Sequence, residues 1–229
     1  MEKFKELVLH HHLGLGDHII CNGMVYGLIE KYDVEQLYLM VKDVNLPTVN
    51  KLYEDSDIVI PVSIPYETYE QEQKFVAEYR TDIPHLDIIY TGGGSEFFDI
   101  EFYGMADIEF QDRWDKFKMP KDDSASKEFF NKFIKDKEYC LVHCQGSPGP
   151  YNLDITTDLP IYYIESGLTD TVLDWEDVIK NAKEIHCIDS SIIHLADSLD
   201  LTAEKLYYHD VGRGSKFHLI NEWTLVDAT

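Results

Sequence analysis

Near the amino terminus the apolar run Leu7-Val8-Leu9 leads into His10, His11 and His12, then Gly14, Gly16 and Asp17. An acid directly after a glycine-spaced turn suits two tasks. It can accept a backbone hydrogen bond and complement the dipole at the start of a helix, or, aimed into a cleft, it can act as a general base. The local residues leave both open. The same glycines begin a dinucleotide fingerprint, which needs a third glycine at position 19 and a ribose-binding acid about 20 residues further on. Position 19 is Ile19, Asp33 and Glu35 precede the second strand and Asp43 follows it, so a dinucleotide site is disfavoured. Adjacent strand residues point to opposite faces, so at most two of the three histidines could converge on one ion. The expectation is a strand end with one packed ring and two partly solvated ones, the alternative being that His11 or His12 lines a ligand cleft.

A second constellation is Asp189-Ser190-Ser191, set between an apolar strand and a helix that contains His194. Small hydroxyls beside the free N–H groups of a helix start suit a diphosphate; the alternative is an ordinary N-cap and a turn acid. His143 and Gln145 follow a strand in "YCLVHCQG" and could touch a phosphate or sugar, with a packed strand histidine as the alternative. Glu165, in "IYYIESG", could accept ribose hydroxyls or be a solvated loop acid. Arg213 and Lys216, in "GRGSK", are the best mobile cations for a diphosphate, or an exposed basic turn. The glycines of "TGGGSE", residues 91 to 96, permit backbone approach to a sugar or a tight turn. No aspartate pair stands out for a divalent ion, so no metal ligands are assigned. Cys140 and Cys144 sit in one strand, roughly 13 Å apart, too far to share a zinc ion. The four cysteines, Cys21, Cys140, Cys144 and Cys187, are expected to be buried thiols.

The elements that must position these residues are short apolar strands alternating with amphipathic helices. Strands are expected at Phe4–His11, Gln36–Val41, Asp57–Pro61, Leu86–Tyr90, Glu138–His143, Leu159–Ile164, Glu184–Ile188 and Lys205–Tyr208. Helices are expected at His18–Tyr32, Asn45–Tyr53, Tyr66–Tyr79, Ser124–Lys135, Asp174–Ala182 and Ser190–Leu199. This alternation predicts parallel sheets covered on both faces, an α/β architecture. Residues 116 to 130 break the apolar pattern and mark a boundary near 118–125. The lobes are then 1–120 and 121–229, each with about four strands.

The net charge of −23, from 43 acids against 20 bases, repels phosphate backbones and anionic membranes, so nucleic acid is excluded as a partner. No stretch reaches the length of a transmembrane segment and no secretory signal is visible, which makes a cytoplasmic protein the default.

The strand–turn–helix "AKEIHCIDSSIIHLADSL", residues 182 to 199, resembles the donor-binding motif of the ADP-heptose:lipopolysaccharide heptosyltransferases of glycosyltransferase family 9, in which an Asp-Ser-Gly turn precedes a His-Leu-Ala helix. "GLGDHIICNGMVYGLIEKY", residues 14 to 32, resembles the family's Gly-Asp turn and first helix. Residues 40 to 62 resemble the stretch that follows, and "YCLVHCQGSP" stands where the family has a Val-His-Pro-Gly strand and loop. The resemblance covers about half the chain in the right order. It implies a GT-B fold, two small Rossmann-like lobes facing across a cleft, with the acceptor on lobe 1–120 and the nucleotide-sugar on lobe 121–229. It also implies metal-independent inverting transfer from a nucleoside-diphosphate sugar to a glycan or glycolipid acceptor. No other cofactor is then needed. Asp17 would be the catalytic base, and Gly16, His143, Gln145, Glu165, Asp189, Ser190, Ser191, His194, Arg213 and Lys216 the donor-binding set. Departures are Ser191 for the family's glycine, Cys144-Gln145 for Pro-Gly, and an unmatched segment after Val211. A non-catalytic nucleotide- or sugar-binding module would not need Asp17 as a base. A sugar-nucleotide epimerase of the same fold would need further acid and base groups.

Overall fold

The apolar run before the histidines is β1 (Glu6–His11), buried at every position after Glu6. The computed structural model describes residues 4–65, 67–89, 97–147, 149–211 and 216–227; the glycine run 91–96 lies outside them. The chain divides into two units, Met1–Lys121 and Asp122–Thr229.

In the first unit β1 is followed by α1 (Leu15–Ile20), α2 (Asn22–Tyr32), β2 (Gln36–Lys42), α3 (Leu46–Leu52), β3 (Val59–Ile64), α4 (Tyr69–Glu78), β4 (His85–Ile88), α5 (Phe98–Met105) and α6 (Asp112–Asp115). The sheet order is β3-β2-β1-β4, and every pair is parallel. Parallel strands covered on both faces carry apolar residues on both. Val8, Tyr38, Met40 and Ile64 form one cluster with Val76 of α4, while Leu7, Leu9, Leu37 and Leu39 are buried on the alternate face. The direction of strand addition reverses between β1 and β4, and open sheets bind ligands outside the carboxyl ends at such a reversal.

The single helix expected over 18–32 is two helices, α1 and α2, that meet at Cys21. The Tyr103 hydroxyl of α5 accepts the Met24 N–H at 3.0 Å and donates to the Ile20 carbonyl at 2.9 Å, which partners backbone groups that the break exposes. Neither α5 nor α6 was expected from the sequence. They are fixed by a buried ion pair between Arg113 and Asp99 (2.5 Å), with the Arg113 guanidinium also over the Trp114 ring. A β-carbon on Gly23 would stand 2.0 Å from the Asp112 carbonyl oxygen, so α2 and α6 meet backbone to backbone. Gly23→Ala is therefore expected to cost about 3 kcal/mol, since neither backbone can yield without opening the interface. Gly104→Ala, where a β-carbon meets nothing within 4 Å, should be neutral or slightly stabilising. Urea midpoints of the two variants test the contrast.

The second unit contains α7 (Ser124–Phe133), β5 (Cys140–His143), the two-residue strands β6 (Gln145–Gly146) and β7 (Gly149–Pro150), β8 (Ile161–Tyr163), α8 (Glu176–Lys180), β9 (Glu184–Ile188), α9 (Ser191–Asp197), β10 (Lys205–Asp210) and β11 (Thr224–Asp227). Its five-stranded sheet, β11-β10-β9-β5-β8, is also fully parallel. Trp175 anchors it, packed edge-on by Phe129 and Phe133 of α7, and the Tyr139 hydroxyl donates to the Val178 carbonyl at 2.7 Å. The edge strand β11 was not expected, because "TLVD" is short and half polar. Buried Asp197 organises the approach to it by accepting from the Ile220 and Asn221 N–H groups and from the Trp223 indole. Cys21, Cys140 and Cys187 are buried, Cys144 is half-buried, and none forms a disulfide. Among the described residues no helix is long and apolar enough to cross a membrane.

Candidate functional site

In the first unit the loop after β1 sits at the carboxyl edge, beside the reversal of strand order. The helix expected to begin at His18 begins three residues earlier: Gly14 is the N-cap, with extended backbone, and Gly16 and Asp17 lie in the first turn. Asp17 does not cap from outside. It occupies the third helical position, and its carboxylate accepts the Gly14 N–H at 3.2 Å, the acid half of a capping box. A β-carbon at Gly14 would stand 2.6 Å from that carboxylate oxygen, so glycine there makes room for the acid. The carboxylate is half-buried at the head of the turn.

The three histidines differ from the expected one packed and two partly solvated rings: His10 and His11 are buried and His12 alone is half-buried, stacked on Phe102. Their environments follow from the pleat. His10 faces α4 and bonds Glu72 at 3.1 Å and Asp87 at 3.0 Å. His11 points to the other face, meets His18 edge-on at 4.5 Å, and spends Nδ1 on the His12 carbonyl. Its Nε2 and both ring nitrogens of His18 are buried with no hydrogen-bond partner. Burial therefore drives both rings toward the neutral form, His11 down to about 4 and His18 well below the usual range.

In the second unit the reversal of strand order falls between β5 and β9. Ser190, the N-cap of α9, gives its hydroxyl to no helix N–H; it pairs with His143 Nδ1 at 3.0 Å across the carboxyl ends of those two strands. His143 is pushed down to about 4 by burial, so the ring is neutral at physiological pH. Asp189 and Ser191 flank Ser190, all three half-buried. Gln145 is exposed in β6, next to the strand end. Glu165 is exposed beyond β8; the Cys144 thiol is raised by burial, against a backbone hydrogen bond that lowers it, and the Glu165 charge adds the smallest upward push. His194 is buried within α9, 4.0 Å from the Asp189 carboxylate and edge-on to Phe217, which places it behind the turn as support. Lys216 is exposed and adjacent to Phe217. Arg213 lies outside the described residues.

One residue escaped the sequence reading. Tyr208 of β10 is half-buried, its hydroxyl is buried without a hydrogen-bond partner, and it is pushed upward by burial and then by the charges of Asp189 and Asp210. Only the pairing of β10 with β9 brings it beside Asp189, so "LYYHD" carried no signal beyond strand alternation.

No protein-family model matches the sequence, and no curated protein is close to it in sequence. Solved structures are similar in fold. The dodecameric iron-containing heptosyltransferase TibC of enterotoxigenic E. coli, in complex with ADP-D-β-D-heptose, matches with a TM-score of 0.59 at 10% identity over 96% of this chain. The chain spans 62% of TibC's length. A family 9 glycosyltransferase of Veillonella parvula matches at 0.62 and 8% identity, covering 100% of this chain and 87% of its own. E. coli ADP-heptose lipopolysaccharide heptosyltransferase II matches at 0.59 and 11% identity, covering 97% and 90%. The likeness establishes the fold, the GT-B type of the family 9 glycosyltransferases.

Proposed function

We propose that this protein transfers a sugar from a nucleoside-diphosphate sugar to an acceptor hydroxyl, with inversion and without a metal at the reacting centre. The observation that carries this reading is the Ser190–His143 pair, which holds a hydroxyl at the reversal point of the second sheet instead of on its own helix. A nucleoside diphosphate leaving from the sugar gathers negative charge and is stabilised by preorganised donors. Ser190, Ser191 and the Tyr208 hydroxyl supply neutral donors, Lys216 a cation, and Asp189 and Glu165 acceptors for ribose or sugar hydroxyls. In the step itself the acceptor oxygen bonds the anomeric carbon as the bond to the diphosphate oxygen breaks. The acceptor proton passes to the Asp17 carboxylate.

The fold likeness supports this reading, as does the ADP-heptose bound by TibC. A non-catalytic sugar-nucleotide-binding module is the second reading, favoured by the use of Asp17 as a capping acid.

Donor binding is tested by thermal unfolding in the presence of ADP-, GDP-, UDP- and dTDP-sugars without added metal. One nucleotide at 100 times its dissociation constant should add about 2.7 kcal/mol. Ser190→Ala should weaken that stabilisation, with the unliganded protein little changed. A flat response from a folded protein across all four would overturn the donor site.

A further inference from the structure

The amino ends of the second sheet carry a cluster that sugar transfer does not use. Cys140, Glu184 and Lys205 open β5, β9 and β10, and in register they form one row across three strands, Cys140 opposite Glu184 and Glu184 opposite Lys205. His186 follows two residues after Glu184 on the same face. Neighbouring strands are about 4.8 Å apart and alternate residues about 6.6 Å, so Cys140, Glu184 and His186 stand at the corners of a triangle that a thiol, a carboxylate and an imidazole can close. All three are at most 4% exposed, and their sulfur, oxygen and nitrogen atoms lie within 4.8 Å of one another.

From this geometry we infer a binding site for one borderline-soft divalent transition ion of the zinc type, ligated by Cys140 Sγ, a Glu184 carboxylate oxygen and His186 Nε2.

The surroundings are those of a metal site. His186 Nδ1 pairs with His209 Nε2 at 2.8 Å, which leaves Nε2 as the ligating nitrogen, and Lys205 holds the second Glu184 oxygen at 3.2 Å. Ligating imidazoles and carboxylates are oriented by such outer partners. A sulfur and an imidazole select zinc, cobalt or iron over magnesium or calcium. Glu184 Oε1 and His186 Nε2 are 2.8 Å apart; around a tetrahedral ion with bonds near 2.0–2.2 Å they would separate to roughly 3.4 Å. Rotation of the two side chains provides that opening. Burial and the neighbouring Glu184 charge push the Cys140 thiol up to about 12, so binding displaces its proton to solvent as the metal–sulfur bond forms. His186 passes from the Nε2–H tautomer that donates to Glu184 to the Nδ1–H tautomer that donates to His209, freeing Nε2 for the ion. With three protein ligands the fourth position is left to water. The site stands at the strand ends opposite Ser190, so its role is to tie β5 to β9, and it holds whether or not the protein transfers sugar. Without an ion the same residues form a hydrogen-bonded chain, Lys205–Glu184–His186–His209.

Cobalt(II) is the probe, added to the full-length, chelator-washed protein. The expected result is a thiolate-to-cobalt charge-transfer band that saturates at one ion per chain. It should be lost in Cys140→Ala, retained in Cys144→Ala, and shifted at least tenfold to higher cobalt concentration in Glu184→Gln. Zinc should compete the band away. The Glu184→Gln arm reads the site even where Cys140→Ala fails to fold. A folded wild-type protein with no band at equimolar cobalt would overturn the inference, as would a band that survives Cys140→Ala and disappears in Cys144→Ala.

Discussion

Acidification from pH 6.5 to pH 4 is expected to remove several kcal/mol of stability, a loss that begins above the range in which ordinary carboxylates take up protons. His11 and His143 titrate near pH 4 in the folded protein, chiefly through burial, and His18 lies well below its ordinary value for the same reason. In the unfolded chain each ring takes up its proton near pH 6.5. Between those values the unfolded state binds more protons than the folded one, so the free energy of unfolding falls as pH falls. For His11 and for His143 the loss begins near 6.5 and is complete near 4. The ceiling for each is roughly 3 kcal/mol, from 1.36 kcal/mol per unit. Asp87, held low chiefly by its hydrogen bond from His10, and Glu184, where the upward push of burial is outweighed by hydrogen bonds from His186 and Lys205 together, add a further loss from the ordinary carboxylate range downward. Urea midpoints at pH 7.5, 6 and 5 should decline steadily, and His18→Leu should flatten the decline by removing a ring that has no hydrogen-bond partner. A midpoint independent of pH across this range would show that the buried rings relax to water.

Asp17→Asn should lower sugar transfer by 10²–10⁴-fold while leaving donor binding unchanged, the range that a positioned general base contributes. The substitution separates the two roles of this residue. An asparagine carbonyl still accepts the Gly14 N–H, so the capping box and the thermal midpoint should survive, whereas the amide cannot take the acceptor proton. Steady-state rates at saturating donor, together with the nucleotide-sugar thermal shift, are the measurements. Unchanged turnover in Asp17→Asn would assign the carboxylate to the helix alone and favour a different base. A protein that binds donor but transfers nothing in either form would support the binding-module reading.

The α/β architecture and most of the strands were legible in the sequence. A buried parallel strand is a short apolar run, and that pattern is local. The carboxyl-edge positions of Asp17 and Ser190 followed from it, because each residue comes immediately after such a run. What each polar group bonds was not legible. Ser190 reads as an N-cap until β5 is placed beside β9 and His143 draws its hydroxyl away from α9. The segment 18–32 has a helical pattern throughout, and only Tyr103, about eighty residues later in the chain, accounts for its break at Cys21. Likewise Cys140, Glu184 and His186 form no motif in the chain, since 44 residues separate the first two and parallel pairing alone brings them together. Periodicity reports which side of an element meets the core. The partner found there depends on strand order and register, which tertiary packing decides.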